Sequence, residues 1–475
     1  MNQKYISYFS ICIYLFFSIF LFHVMNLFGV EEISKGKIIE KIICSQSQEH
    51  SYALYLPSDY NSEKKWPIIY ALDPGARGAL PLKHFREAAE TYGFIQAGSN
   101  DSRNGPWEPI YRAVIAVWND TQERFSIDLN RVYVTGFSGG SRAAAYFSRI
   151  VGEPVTAVIG CGAGLPSQMK PSEIGPAFYC GVVGRKDMTY LEMMELDNKF
   201  DETAVPHRFL VFDGIHEWPP KSVCMRAVEW LEVVSMDLKI RSYDNDLIKK
   251  IFNREYDLAH EQEKERSLIL SLSNYENLLS LFKDKVDTAL IEENINRLKG
   301  SNEYFYALDI ENKIRTRELE FTKKFQGLLN FIGQNPVLSR DLEKVFEDFD
   351  IPSLKRMVLK GDKSESEMAF RLLYGLEIDS RDMGWDSLNK MNPKKAALFL
   401  EIAVEANTNK PLRLQYLYYN LAAAYALDQN KNKAIKNLKL AIENGFDDLE
   451  YLKKDESFKS IQETKEFQKL VNKKV

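Results

Sequence analysis

From residue 38 to residue 237 short apolar runs alternate with stretches of helical spacing, and this alternation restricts the fold more than any other feature of the chain. Runs at 51–57, 67–72, 93–97, 131–135, 155–160, 177–184 and 208–212 read as strands. Several are apolar throughout, PIIYAL at 67–72 among them, as strands buried on both faces must be. Between them, 82–92, 109–122, 141–151, 188–202 and 219–236 carry apolar residues at helical intervals. A chain that returns repeatedly from strand to helix to strand builds an α/β fold, a doubly wound and mostly parallel sheet covered on both faces.

After Leu238 glycine and proline become scarce, charge density rises and apolar residues recur at 3.6-type spacing. That half is expected to be all helical, with a first region at 238–380 and a repeat-like region at 381–475. Within the latter, Tyr418, Leu421, Ala422, Tyr425, Ala434, Leu438 and Ala441 resemble the tetratricopeptide pattern, two bulky residues around a small one and then small residues on the next helix. A degraded copy precedes it at Ala396, Leu400 and Ala403. Ala396 and Ala434 are 38 residues apart, against about 34 for that repeat, so the array is irregular. A generic helical hairpin is the plainer alternative.

Composition narrows the classes. The 475 residues suffice for two to four domains, and 62 basic against 67 acidic residues leave a net charge of −5. Nucleic acid is therefore not expected as a partner. Five cysteines without a CxxC pair exclude a disulfide scaffold and structural zinc, and no metal or cofactor is expected. Cys44, Cys161, Cys180 and Cys224 offer no assignable pairing. Tyr5 to Val30 is apolar apart from small polar residues, His23 and Asn26, and about 20 such residues cross a bilayer. No small-x-small cleavage site follows it. Residues 1–30 are expected to be an uncleaved membrane anchor, with a cleaved export signal or a buried helix as alternatives, which places the rest in the cell envelope or outside the cell.

Gly136-Phe137-Ser138-Gly139-Gly140 is the one G-x-S-x-G of the chain. Three fixed residues of about 7% abundance arise by chance in roughly one or two of every ten chains this long. Its setting makes it specific, because a strand run ends at the motif and a helical stretch begins after it. A sharp strand-to-helix turn strains the serine and lifts its hydroxyl above the sheet edge, and flanking glycines avoid a Cβ clash. The alternative is a plain glycine-rich turn.

A serine hydroxyl attacks only when a base takes its proton. Of six histidines, His23 lies in the apolar leader, His50 and His84 precede the motif, and His260 sits in the charged half. His207 precedes the last strand run and His216 follows it. Parallel sheets carry their chemistry in loops at the C-terminal ends of strands, so His216 is the expected base. The residue that orients its imidazole should follow a strand between Ser138 and His216. Asp187 follows the 177–184 run by three residues, whereas Asp197 and Asp201 lie in the next helical stretch and Asp213 is too near His216 in sequence. Asp187 is the expected third member, a surface ion pair with Arg185 or Lys186 being its plainer reading. The order Ser138, Asp187, His216 is the chain order of α/β-hydrolases. An oxyanion would be held by the N–H of Gly139 and by a second N–H from the loop after 67–72. Pro74 has none, so Gly75 or Ala76 is expected, with the choice open.

These residues make the portion at 38–237 similar to the α/β-hydrolase superfamily, and within it to exported esterases such as polyhydroxybutyrate depolymerases and feruloyl or acetyl-xylan esterases. The resemblance rests on Leu72-Asp73-Pro74-Gly75, Ser99 to Gly105, Gly136 to Arg142, Asp187, and Gly214 to Pro219. Asp73-Pro74-Gly75 stands where those enzymes carry a His-Gly pair. The resemblance implies ester cleavage through an acyl-serine. Trp218, two residues past His216, is a candidate to stack on an aromatic acyl group or a sugar, and Trp107 and Trp118 lie nearby. Arg77 and Arg142 flank the two oxyanion loops and could meet an acidic substrate group. Packing for the tryptophans and helix-end charge for the arginines are the plainer readings. No lid segment separates the last strands, which predicts an open site suited to a polymeric or bulky ester. The helical tail is expected to hold a partner protein, since stacked helical pairs present a concave face. Two other readings compete with the esterase: an envelope scaffold that has lost activity, and a serine peptidase of the same fold.

Overall fold

The computed structural model describes residues 33–175, 177–335, 342–408 and 411–472, so the expected anchor or signal at 1–30 lies outside the described residues. Among those described, no helix is long and apolar enough to cross a membrane. Eight strands form one sheet: β1 (Ile38–Ile43), β2 (Ser51–Tyr55), β3 (Trp66–Leu72), β4 (Ile95–Ser99), β5 (Ile127–Phe137), β6 (Val155–Cys161), β7 (Phe178–Gly184) and β8 (His207–Phe212). Their spatial order is β1-β2-β4-β3-β5-β6-β7-β8, with β2 antiparallel to both neighbours and every pair from β4 to β8 parallel. This is the expected doubly wound α/β sheet, with the topology of an α/β-hydrolase.

Five helices cover it: α1 (Ala79–Tyr92), α2 (Trp107–Arg124), α3 (Gly139–Val151), α4 (Tyr190–Asp201) and α5 (Lys221–Asp237). Central strands are apolar on both sides because each side meets helices. Ile68, Tyr70, Val132 and Val134 pack toward α2 and α3 in one core, while Ile69, Ala71 and Tyr133 pack toward α1 and α5 in the other. Each such aliphatic side chain contributes about 1.5–3 kcal/mol by leaving water.

The second half carries helices and no strand among the described residues. It runs through α6 (Asn245–Lys264), α7 (Leu268–Phe282), α8 (Ala289–Lys299), α9 (Asn302–Gln334), α10 (Leu342–Asp348), α11 (Ile351–Lys360), α12 (Lys363–Asn389), α13 (Pro393–Ala406), α14 (Pro411–Leu427), α15 (Lys431–Glu443), α16 (Leu449–Lys454) and α17 (Lys465–Val471). The outer face of α5 supplies Val233 and Met236 to the core of α6, α7 and α8, so the halves share packing. Glu255 of α6 reinforces this joint by pairing with Arg208 of β8 and, at 2.8 Å, with Arg226 of α5. α12 runs unbroken through positions 380 and 381, so no structural break falls there. Ala396, Leu400, Leu421, Ala422, Ala434, Leu438 and Ala441 are buried together between α13, α14 and α15. Cys44, Cys161, Cys180 and Cys224 are buried and unpaired.

Candidate active site

The sheet delivers its chemistry at the C-terminal ends of β5, β7 and β8. β5 ends at Phe137, α3 begins at Gly139, and Ser138 between them adopts φ 54° and ψ −123°. A positive φ is costly for any residue with a Cβ, and here the surroundings enforce it. The Ser138 N–H donates to the Cys161 carbonyl (2.8 Å), while the Ser138 carbonyl accepts from Ser141 N–H (2.9 Å). A Cβ on Gly136 would overlap the Gly140 carbonyl, and one on Gly140 would overlap the Leu72 carbonyl. The motif glycines thus answer to backbone approach across the turn.

His216 follows β8. Its Nε2 lies 3.0 Å from Ser138 Oγ and its Nδ1 2.8 Å from Asp187 Oδ1. The imidazole is 9% exposed and the Asp187 side chain 1%. Asp187 stands in the loop after β7, and its Oδ1 also accepts the Thr189 N–H (2.9 Å) and hydroxyl (2.8 Å). That loop is fastened to the one after β8, since Arg185 N–H donates to the Phe212 carbonyl and Lys186 N–H to the Gly214 carbonyl, both at 2.9 Å. The three residues expected from sequence therefore meet in one hydrogen-bonded series. Three of the rejected candidates gather at the opposite end of the sheet: His207 Nε2 lies 3.5 Å from Asp197 and 3.3 Å from Asp201.

The loop after β3 differs from expectation. Asp73 is fully buried, and its Oδ1 accepts the Gly75 N–H (2.8 Å) and Arg77 Nε (2.8 Å). Its Oδ2 accepts Arg77 Nη2 (3.0 Å) and Trp218 Nε1 (2.8 Å). The Ala76 N–H donates to the Asp73 carbonyl (2.9 Å). Both N–H groups expected to complete the oxyanion site are thus engaged within their own turn. Trp218 is 5% exposed and packs against Phe85 and Phe137, so it offers no free face for stacking. Arg77 is likewise spent on Asp73, whose hydrogen bonds raise the guanidinium above its ordinary range. Arg142 is held by the Leu165 carbonyl (2.6 Å) and Glu192 (2.9 Å). Trp118 lies in the core against Tyr70 and Phe147, and Trp107, 42% exposed, packs on Tyr146.

The site expected to be open is bounded on one side by the second half. α12 lies along the loop after β7: Arg371 donates to the Arg185 carbonyl (2.7 Å), and a Cβ on Gly375 would sit 3.7 Å from Met188 Cβ. The Tyr374 ring is 6.3 Å from His216. The second half therefore walls the site on its His216–Asp187 side. Sequence reasoning missed this contact because it depends on tertiary docking alone. It also missed Asp73, although an aspartate just past a buried strand is a signal. Among the described residues no group of three or more His, Cys, Asp or Glu side chains could hold a metal ion.

No protein-family profile and no curated protein matches the sequence. Among solved structures, an S-formylglutathione hydrolase from Staphylococcus aureus aligns at 14% identity over 42% of this chain and 98% of its own, with a TM-score of 0.34. A feruloyl esterase module from Clostridium thermocellum, complexed with sinapinate, aligns at 15% identity over 40% of this chain and 85% of its own, with a TM-score of 0.34. Esterase B from Lactobacillus rhamnosis aligns at 15% identity over 43% and 88%, again with a TM-score of 0.34.

Proposed function

We propose that this chain is a serine hydrolase that cleaves carboxylic esters through an acyl-serine intermediate. The observation that carries the reading is the series Asp187–His216–Ser138, ending on a serine held at positive φ between a strand and a helix. With Nδ1–H donated to Asp187, His216 Nε2 is left to accept the Ser138 hydroxyl proton. Ser138 Oγ then bonds to the ester carbonyl carbon, its proton passes to Nε2, and the carbonyl pair moves onto oxygen. The Gly139 N–H, first in α3 and without an acceptor among the described residues, is available to that oxyanion. Collapse breaks the ester C–O bond, and the departing alkoxide takes the proton from Nε2. Water repeats the sequence on the acyl-serine and releases the acid. A polymeric or bulky ester is the proposed substrate, entering beside Asn104 and Trp107, both exposed.

The test treats the full chain with a fluorophosphonate probe and short acyl nitrophenyl esters. Labelling and turnover are expected, and both should vanish in Ser138→Ala. A folded protein that does neither would favour the scaffold reading, which draws on the engagement of Gly75 and Ala76 by Asp73. Cleavage of matching amides would favour the peptidase.

For the rest of the chain we propose that residues 1–30 direct the protein to the envelope or out of the cell, and that the tetratricopeptide-like helices hold a partner protein. A groove of about 590 Å³ on those helices, lined by Trp385, Tyr416, Phe446 and Tyr451, by the carboxylates of Asp447 and Asp448, and by Arg381 paired with Asp382, supports a basic peptide segment as its occupant. Fractionation of cells, and titration of the chain with an arginine-rich peptide, test the two statements.

A further inference from the structure

An acyl-transfer oxyanion is commonly met by two donors, and in this chain the second is not where the loop after β3 would supply it. Gly75 and Ala76 have both committed their N–H groups to Asp73, and Asp73 is itself fixed by Arg77 and Trp218. Releasing either N–H would strip an acceptor or donor from a buried network, which costs about 1–3 kcal/mol.

A different polar side chain stands beside the first donor. The Asn104 N–H donates to the Pro74 carbonyl (2.9 Å), which ties the loop after β4 to the loop after β3. That tie brings the Asn104 side chain over the nucleophile turn: a Cβ on Gly139 would overlap its Oδ1 and lie 2.7 Å from its Nδ2. The carboxamide therefore rests against the residue whose N–H is the first donor, and it has no hydrogen-bond partner among the described residues. Its two ends interchange by a half-turn of the terminal torsion, so Nδ2 can be presented to the site. Side-chain amides serve in this role elsewhere, and removing one from subtilisin costs about 10²–10³ in turnover.

Resting on the reading of Ser138 as a nucleophile, we propose that the Asn104 carboxamide is the second oxyanion donor, in place of a backbone N–H of the loop after β3. The same placement explains why position 139 is glycine: any side chain there would displace the donor.

The experiment compares Asn104→Ala and Asn104→Asp in the full chain, using a nitrophenyl ester and the rate of fluorophosphonate labelling. Neither change touches the Asn104 N–H that holds the loop. A donor role predicts that kcat falls about 10²–10³-fold in Asn104→Ala, with KM within about twofold, and at least as far in Asn104→Asp. Aspartate matches asparagine in shape but sets a negative charge where the oxyanion forms. A packing role predicts the reverse order, with Asn104→Asp close to the parent and Asn104→Ala impaired, and that result would overturn the proposal. So would full turnover in both variants. Gly139→Ala/Asn104→Ala supplies a check on folding: it should match Asn104→Ala in thermal stability and stay as inactive. An inert but folded parent protein would reject the hydrolase reading itself, whereas an active parent with active Asn104 variants rejects this inference alone.

Discussion

Two pairs of buried carboxylates, one pair in each half of the molecule, sit in different settings. In the sheet half, Asp73 and Asp187 sit in loops just past strand ends, and each gathers donors from its own turn: Gly75 and Arg77 for one, Thr189 for the other. Each then reaches one distant ring, Trp218 or His216. In the helical half, Glu255 and Glu318 sit in the middle of helices and face arginines from other elements, Arg208, Arg226 and Arg371. A loop carboxylate shapes a site and a helix carboxylate closes a joint. The comparison implies that rate and stability can be broken separately.

The largest effect tests the side of rate. Ser138→Ala should lower ester turnover by at least about 10⁴-fold, near 5.5 kcal/mol of barrier, while the melting temperature stays within a few degrees. His216→Ala should behave almost alike, because the members act as a unit. A large stability loss in either would mean that the site also holds the sheet together, and the comparison would fail.

The next effect tests the side of stability. Burial alone would raise Glu255, but Arg208, Arg226 and Arg254 outweigh it and hold the carboxyl well below the ordinary range. A depressed native pKa contributes stability that is present above the unfolded value, about 4.3, and is lost as pH falls below it. Glu255→Gln leaves buried guanidinium groups uncompensated and should cost about 3–5 kcal/mol in urea unfolding at pH 7. Its stability should fall less than the parent's between pH 5 and pH 3. Fluorophosphonate labelling of the folded fraction should persist.

Asp73→Ala sharpens the contrast from within the sheet. It strands the Trp218 Nε1–H and the Gly75 N–H, so about 2–3 kcal/mol of stability should go. Turnover should fall by up to about 10²-fold as the loop beside Asn104 shifts. Loss of stability with unchanged turnover would show that this loop does not position the site.

Legibility followed the same division. β3, β5 and β8 were readable because burial on both faces leaves continuous apolar runs, and Ser138 stood out because strand and helix patterns meet on it. β1, with the sequence IIEKII, is half-buried or exposed along its whole length at the sheet edge, and two charged residues break its apolar run, so it carries no buried-strand signal. β5 begins at Ile127, four residues before the run that announced it, since Asp128 and Asn130 interrupt the pattern there. Asp187 and His216 could be found by elimination, being scarce residue types after strands. Asp73 could not be placed, because the partner that defines its role, Trp218, lies 145 residues away. The docking of α12 on the site was unreadable for the same reason: Arg371 meets the Arg185 carbonyl across 186 residues, and no local pattern encodes that.

One half-buried carboxylate serves neither a site nor a joint, and it gives the smallest prediction. Asp197 lies on α4 beside His207 and Asp201, at the end of β8 opposite His216 and about 20 Å from it by strand length. Burial pushes Asp197 up from 3.8 to about 6, with Asp201 adding to the rise and His207 opposing it. A native pKa above the unfolded one means that the folded state holds its proton more tightly. Stability should therefore be complete below pH 4, decline as pH rises from 4 to 6, and stay lower beyond. Asp197→Asn removes the ionisation and should stabilise the chain at pH 7 by about 1–2 kcal/mol, the full two-unit value being reduced because the side chain keeps 29% exposure. The gain should disappear at pH 4, and ester turnover should not change at either pH. A change in turnover would tie the far end of β8 to the chemistry, and the assignment of roles by strand end would have to be redrawn.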